Sequence, residues 1–289
     1  MPELPEVETV CRGLRPRIVG RALASVKQNR PDLRFPFPER FAARLEGRQI
    51  VSVERRAKYI LIRLDDESIW LVHLGMSGRF VVDGQGGAAR SGQAGAGNGW
   101  RFDHKHDHLV ARLDDGGILI FNDPRRFGFM DLFPASTMAE HPRLAELGPE
   151  PLSDGFNPAY LGVALKGKRT PIKAALLDQE VVAGLGNIYV CEALWRASVS
   201  PRRMASSIPG RRAARLVENV KSVLRDAIQA GGSSLRDFVQ ASGELGYFQH
   251  SWQVYDREQE PCGFDGCSGR IRRIVQSGRS TFYCAKHQR

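Results

Sequence analysis

The chain has 289 residues, with 42 Lys or Arg against 32 Asp or Glu, for a formal net charge of +10. That length suits two modest domains, and the cationic excess suits a polyanionic partner, either nucleic acid or an anionic membrane surface. No stretch is long and apolar enough to span a bilayer, the first residues lack the basic head and apolar run of a secretion signal, and five cysteines make an odd set for a disulfide scaffold, so the chain is expected to be soluble and intracellular.

The first element is a helix. Val7, Val10, Cys11 and Leu14 fall at i, i+3, i+4 and i+7. Pro5 suits the first turn, and Glu6 and Glu8 suit the positive end of the helix dipole. Pro2 and Glu3 admit two readings. They form an acidic lead-in to the cap, or, once Met1 is removed, Pro2 offers a secondary amine beside a carboxylate. Such an amine forms a cationic imine that serves as an electron sink. From these residues alone the cap is the simpler reading.

A β region follows. Short runs at 50–53, 59–64, 69–74 and 79–82 are rich in β-branched and aromatic residues. Runs at 109–113 and 118–121 flank Asp114-Asp115-Gly116-Gly117, a hairpin signal. Many short strands at regular spacing predict a sandwich or a barrel. Residues 83–99, rich in Gly, Ala, Ser and Gln, read as a surface loop. Two prolines in 146–152 mark a linker. Beyond it the periodicity becomes helical over 172–182, breaks at Gly184-Leu185-Gly186-Asn187 and resumes over 188–196. A long basic amphipathic helix is predicted over 211–230, closed by Gly231-Gly232. Residues 233–250 read as a loop, and the tail from 261 as two small hairpins.

The tail carries the most specific local signal. Four residues separate Cys262 from Cys267, sixteen separate Cys267 from Cys284, and two separate Cys284 from His287. Two close pairs around a hairpin-length spacer suit a tetrahedral zinc site, and a closed Cys3His set leaves no place for catalytic water. Zinc would supply most of the folding energy of so small a unit, on the order of 10–16 kcal/mol. Arg270, Arg272, Arg273, Arg279, Lys286 and Arg289 surround it, as in a nucleic-acid finger. Asn187 suits a helix start and a phosphate contact, although for this motif alone a plain helical hairpin is the more common outcome. The Asn122-Asp123-Pro124-Arg125-Arg126-Phe127-Gly128 loop offers arginines and an aromatic wedge, or a solvated turn. The turn at 73–78 exposes Met76, and Arg55-Arg56-Ala57-Lys58 is a basic run between strands.

Together the segments MPELPEVETV, RRAKYI, HLGMSG, FNDPRRFG, LGPEPL, GLGNIY, GGSSLRDFVQ, GELGYFQH and the cysteine tail resemble the formamidopyrimidine-DNA glycosylases over essentially the whole chain. The resemblance implies a bifunctional repair enzyme that removes oxidised purines and cleaves the strand by β,δ-elimination. It implies an α+β multidomain protein. An N-terminal β-sandwich with a leading helix would cover 1–135 and a linker 136–152. A helix-two-turn-helix DNA-binding domain with a lesion-capping loop would cover 153–250, and a zinc-finger hairpin 251–289.

Carried onto this sequence, the resemblance makes Pro2 the nucleophile, Glu3 the general acid/base and Glu6 their support. Lys58 would pair with the phosphate beside the lesion. Asn187 and Arg279 would pin the backbone. Met76, Arg125 and Phe127 would fill the gap left by the extruded nucleotide, and His106 would join the DNA contacts. Lys173 matches a lysine near the lesion phosphates. The implied cofactor is one structural zinc ion on Cys262, Cys267, Cys284 and His287. The implied partner is damaged double-stranded DNA, met by a monomer in the cytoplasm, on the nucleoid. His287 stands where the family usually has a fourth cysteine, which changes the site charge from −2 to −1. The loop at 83–99 also looks longer than usual. The sister enzyme endonuclease VIII usually begins Pro-Glu-Gly-Pro-Glu after Met, where this chain has Leu4. A non-catalytic DNA-binding protein is the alternative of another class.

Overall fold

A computed structural model of the protein describes residues 2–83, 104–233 and 246–289. The chain divides into two compact units. Met1–His141 and Gly231–Tyr247 form the first, and Pro142–Ala230 and Phe248–Arg289 the second. The finger therefore folds with the helices, and the stretch after the long helix returns to the first unit.

In the first unit α1 (Leu4–Ile18) leads two antiparallel four-stranded sheets, with the short α2 (Phe41–Leu45) between their first two strands in sequence. One sheet has the order β1 (Leu23–Gln28), β6 (Asp107–Leu113), β7 (Ile118–Asn122), β5 (Arg79–Asp83). The other has β2 (Ile50–Arg56), β3 (Tyr59–Leu64), β4 (Ser68–His73), β8 (Phe129–Pro134). One apolar cluster joins Val7, Val10 and Leu14 of α1 to Val26, Ile60, Trp70, Phe80, Leu109, Phe121 and Met130 of both sheets. The expected sandwich is thus present, with the helix stripe built into its core. The predicted hairpin also forms, and Gly116 takes the left-handed φ of +87° that its turn requires.

Two strands lie outside the sequence prediction. In β1 the buried residues Leu23 and Val26 are three apart, because the register shifts between Leu23 and Ser25. A bulge of this kind breaks the period-two alternation. Strand β8 follows directly on the loop that ends at Gly128 and pairs with β4.

The second unit contains α3 (Pro158–Ala164), α4 (Ile172–Leu177), α5 (Asn187–Arg196), α6 (Arg211–Gln229) and the hairpin of β9 (Ile271–Gln276) with β10 (Arg279–Cys284). Helix α6 buries Leu216, Val220, Val223, Leu224 and Ala227 and is followed by Gly231 and Gly232, both at positive φ. The predicted helix over 172–182 is shorter than its periodicity. Gln179 donates its amide to Leu177 O and Leu185 O and accepts the Gly184 N–H, and Asp178 accepts the Glu180 N–H. These side chains take over backbone partners that a continuing helix would need. The tail forms one hairpin, not two. Residues ahead of β9 form turns with a single bridge between Pro261 and Arg270. Among the described residues no helix is long and apolar enough to cross a membrane. Most of the loop predicted at 83–99, and 234–245 of the loop predicted at 233–250, lie outside the described residues.

Candidate active site and nucleic-acid surfaces

The first turn of α1 organises the N-terminus. Glu3 is the N-cap in extended conformation, and Pro2 and Glu3 are both buried. Glu6, 3% exposed, reaches back so that Oε2 accepts the Glu3 N–H at 2.8 Å. Its Oε1 accepts the Ser233 N–H, also at 2.8 Å. Gly232 lies against this carboxylate at φ +80°, where a Cβ would come within 3.1 Å of Oε1. Cap and lead-in are therefore one structure.

Lys58 sits in the two-residue turn between β2 and β3, and it is 8% exposed. Ala57 precedes it at φ +53°, a conformation that costs a non-glycine residue about 1 kcal/mol and so needs support. Arg55 supplies support by donating to Ala57 O at 3.1 Å while its Nε holds Glu8 at 3.1 Å. Burial pushes the Glu8 carboxyl up, but hydrogen bonds and charge from Arg12, Arg55 and Arg15 leave it below the ordinary carboxylate range.

Two loops bring together Met76, Arg125 and Phe127. Gly75 takes φ +64°, and a Cβ there would lie 2.3 Å from the Gly128 nitrogen. That close approach brings the Met76 turn against the Arg125–Phe127 loop. Asp123, fully buried, fastens them, because it accepts the Ser77 hydroxyl through Oδ1 and the Gly128 N–H at 2.8 Å through Oδ2. Ser77 Oγ in turn accepts the Arg125 N–H at 3.1 Å. Met76 is half-buried, Arg125 is exposed, and Phe127 is 42% exposed with the Arg125 guanidinium 4.9 Å from its ring centre. A cavity of about 610 Å³ opens here, lined by Arg34, His73, Met76, Arg125 and Phe127 among others. His106 closes the base of the loop, its carbonyl accepting the Asp123 N–H, and its neighbour His108 contacts Asp123 O through Nε2 at 2.8 Å. Beneath lies a polar chain from Arg79 through Asn122 to Asp107 and His104.

In the second unit Asn187 opens α5 and donates to Ser280 O at 2.9 Å. Arg279 is exposed beside the Ser277-Gly278 turn, whose residues both have positive φ, the requirement of a type I′ hairpin. Lys173 is not on the surface. It is fully buried, and Nζ donates to Ser280 O at 3.0 Å and Thr281 Oγ1 at 2.7 Å.

The sulfurs of Cys262, Cys267 and Cys284 lie within 4.8 Å of one another, and Cys267 and Cys284 are 3.8 Å apart. That spacing suits thiolates around one tetrahedral ion. Trp195 Nε1 donates to Cys262 at 3.4 Å, and the Gly269 N–H donates to Cys267 at 3.3 Å, which lowers the Cys267 thiol. A Cβ at Gly269 would fall 2.6 Å from the Cys284 sulfur. His287 falls outside this group. Its Nε2 is 2.8 Å from Trp195 O, and its ring lies over Phe264 at 3.8 Å. A histidine that gives one nitrogen to a backbone carbonyl keeps the other for a metal.

Two residues in these sites are not marked by the sequence pattern. Asp123 stands there only as part of the loop. Glu192 lies on α5, where it is fully buried and accepts the N–H groups of Gln253, Val254 and Tyr255 at 2.9, 3.0 and 2.9 Å. Burial pushes its carboxyl up, against the lowering effect of those donors and of Arg196. An acidic residue within the apolar run of α5 was the available signal.

Comparison with known proteins agrees with this geometry. A family model for the formamidopyrimidine-DNA glycosylase N-terminal domain matches residues 1–130, and one for the H2TH domain of the same glycosylase matches residues 147–239. The chain is 59% identical to a formamidopyrimidine-DNA glycosylase of Rhodospirillum centenum and 56% identical to one of Ruegeria pomeroyi, each over the full length of both chains. Among solved structures, MutM (Fpg) of Thermus thermophilus is similar at 38% identity and TM-score 0.84, covering 99% of this chain and 98% of that one. Lactococcus lactis Fpg bound to DNA with an abasic site is similar at 33% identity and TM-score 0.85, covering 99% of each chain. A variant of the same enzyme bound to DNA containing Fapy-dG is similar at 32% identity and TM-score 0.86, covering all of both chains.

Proposed function

The chain belongs to the formamidopyrimidine-DNA glycosylase family, whose members are DNA glycosylases of base excision repair with associated lyase activity, and from that premise we propose how its own residues carry the reaction. With Met1 removed, the Pro2 nitrogen attacks C1′ of the damaged nucleotide. The bond from C1′ to the base breaks, and the base leaves with the electron pair. Glu3 delivers a proton to the ring oxygen as the C1′–O4′ bond opens, which leaves an iminium between Pro2 and the sugar. That cation acidifies C2′, and loss of its proton expels the 3′ phosphate. A second elimination expels the 5′ phosphate.

The observation that carries this reading is the Glu6 carboxylate, shared between the N–H groups of Glu3 and Ser233. It fixes the buried Pro2–Glu3 lead-in, and the Glu3 side chain completes the capping box with the Glu6 backbone. Lys58, held in its turn through Arg55 and Ala57, pairs with the phosphate beside the lesion. Chemistry on a base inside a duplex requires extrusion, which costs a few kcal/mol. Met76, Arg125 and Phe127 enter the vacated stack and offset that cost, and His106 supports the same strand. Asn187 and Arg279 hold phosphates and so set register without reading sequence. Cys262, Cys267 and Cys284 hold one zinc ion, with His287 as fourth ligand through Nδ1. The ion's role is structural. The substrate is duplex DNA carrying oxidised purines, met by a monomer on cytoplasmic DNA.

Processing of the N-terminus tests the scheme. An extension ahead of Pro2 should abolish both excision and strand cleavage on an 8-oxoguanine:cytosine duplex while sparing binding. An extended protein that still cuts would refute Pro2 as nucleophile, and a strong preference for thymine glycol would move the assignment to endonuclease VIII.

A further inference from the structure

We propose that Lys173 acts in DNA binding as a positioning residue that sets Arg279 through the Ser280 peptide, and not as a phosphate ligand of its own. The proposal rests on the reading of Arg279 as a DNA contact. Lys173 is fully buried beneath the hairpin, and a phosphate oxygen has no surface by which to reach its ammonium. Lysine is seldom fully buried, and burial of its charge requires hydrogen-bond compensation. Here that compensation comes from β10: Nζ donates to Ser280 O at 3.0 Å and to Thr281 Oγ1 at 2.7 Å.

Several groups converge on the residue that follows Arg279. Asn187 Nδ2 donates to the same Ser280 carbonyl at 2.9 Å, so both lone pairs of that oxygen are taken. Arg273 Nε donates to Ser280 Oγ at 3.1 Å. On the other side of Arg279 the Ser277-Gly278 turn has both φ values positive, +49° and +72°. The Ser280–Thr281 peptide, one residue beyond Arg279, is thus fixed by α4 and α5, and the residues before Arg279 are fixed by the turn. A two-stranded hairpin alone is marginally stable, so these ties decide where the Arg279 side chain starts. Lys173 supplies two of them from a helix more than a hundred residues away in sequence.

The test is the salt dependence of binding to a duplex with an abasic-site analogue, measured for the full-length zinc-loaded protein. One phosphate contact changes the slope of log K against log salt by about 0.9. Arg279→Ala and Lys173→Met should each flatten the slope by about that amount, and the double variant should flatten it no further. A double variant that loses about twice as much would show that Lys173 holds its own phosphate and would overturn the proposal, as would a Lys173→Met slope equal to that of the unsubstituted protein. Thr281→Val guards against a Lys173→Met protein that does not fold. It removes one acceptor of Lys173 without touching a charge. It should weaken binding several-fold, and this loss should vanish in the Arg279→Ala background. Unchanged affinity in Thr281→Val would also overturn the proposal. Covalent trapping at Pro2 is measured separately, so this proposal can fail while the glycosylase reading stands.

Discussion

Glu6 Oε1 accepts the backbone N–H of Ser233 at 2.8 Å, across 227 positions of sequence. Its other oxygen holds the Glu3 N–H. One buried carboxylate therefore ties the N-terminal lead-in to the residue that follows the Gly231-Gly232 pair. Glu6→Ala would leave two buried N–H groups without acceptors, at about 1–3 kcal/mol each. The melting temperature should fall by several degrees and single-turnover excision by at least tenfold, whereas Glu6→Gln, which keeps one carbonyl acceptor, should fall between. Unchanged excision in Glu6→Ala would count against this role.

Asp123 fastens the two loops that present Met76, Arg125 and Phe127. Asp123→Ala removes both carboxylate oxygens, so the Ser77 hydroxyl and the Gly128 N–H both lose their acceptor. Affinity for a duplex with an abasic-site analogue should fall about tenfold, on the order of 1.4 kcal/mol. The salt slope should stay unchanged, because no phosphate contact is removed. A flattened slope would mean that the loop holds phosphates instead of filling the stack.

Glu8 braces the Lys58 turn through Arg55, and its carboxyl lies below its ordinary value of 4.5. A lowered folded-state value stabilises the protein above the unfolded value, and that stability is lost as pH falls through the folded one. Glu8→Gln should therefore cost about 1 kcal/mol at neutral pH. The gap between the two proteins should stay constant down to about 4.5 and close below it. Urea unfolding from pH 7 to 3 checks this, and a gap that widens on acidification would reverse the sign.

Glu192 holds the chain that leads into the thiol cluster. Glu192→Ala leaves three buried N–H groups unsatisfied, and a chelator should strip zinc from it faster than from the unsubstituted protein. His287→Ala should also lower zinc retention, while loss of any of Cys262, Cys267 or Cys284 should abolish it. Full zinc occupancy in His287→Ala by native mass spectrometry would remove His287 from the ligand set.

The parts legible in the sequence are those set by local chemistry. The stripe of α1, the Asp114–Gly117 hairpin and the glycines that close α6 each follow from spacing or from a required φ. The cysteine cluster was legible because ligand spacing is short-range. Strand β1 was not, because its bulge breaks the alternation that reveals strands. The end of α4 was not, because Asp178 and Gln179 stop it with side-chain bonds that apolar periodicity cannot register. Lys173 enters the sequence reading only through the family resemblance, and its burial is not legible there because its acceptors at Ser280 and Thr281 are brought to it only by the tertiary fold. The same holds for Asp123 and Glu192, whose partners lie in other segments.

The central claim is that Pro2 becomes covalently attached to the sugar. Protein with a verified free Pro2 should be mixed with an 8-oxoguanine:cytosine duplex in the presence of borohydride, and the product digested and sequenced by mass spectrometry. A reduced protein–DNA adduct located on Pro2, absent when the N-terminus is extended, is the predicted result. An intact complex that yields no adduct, or an adduct located on a lysine, would contradict it.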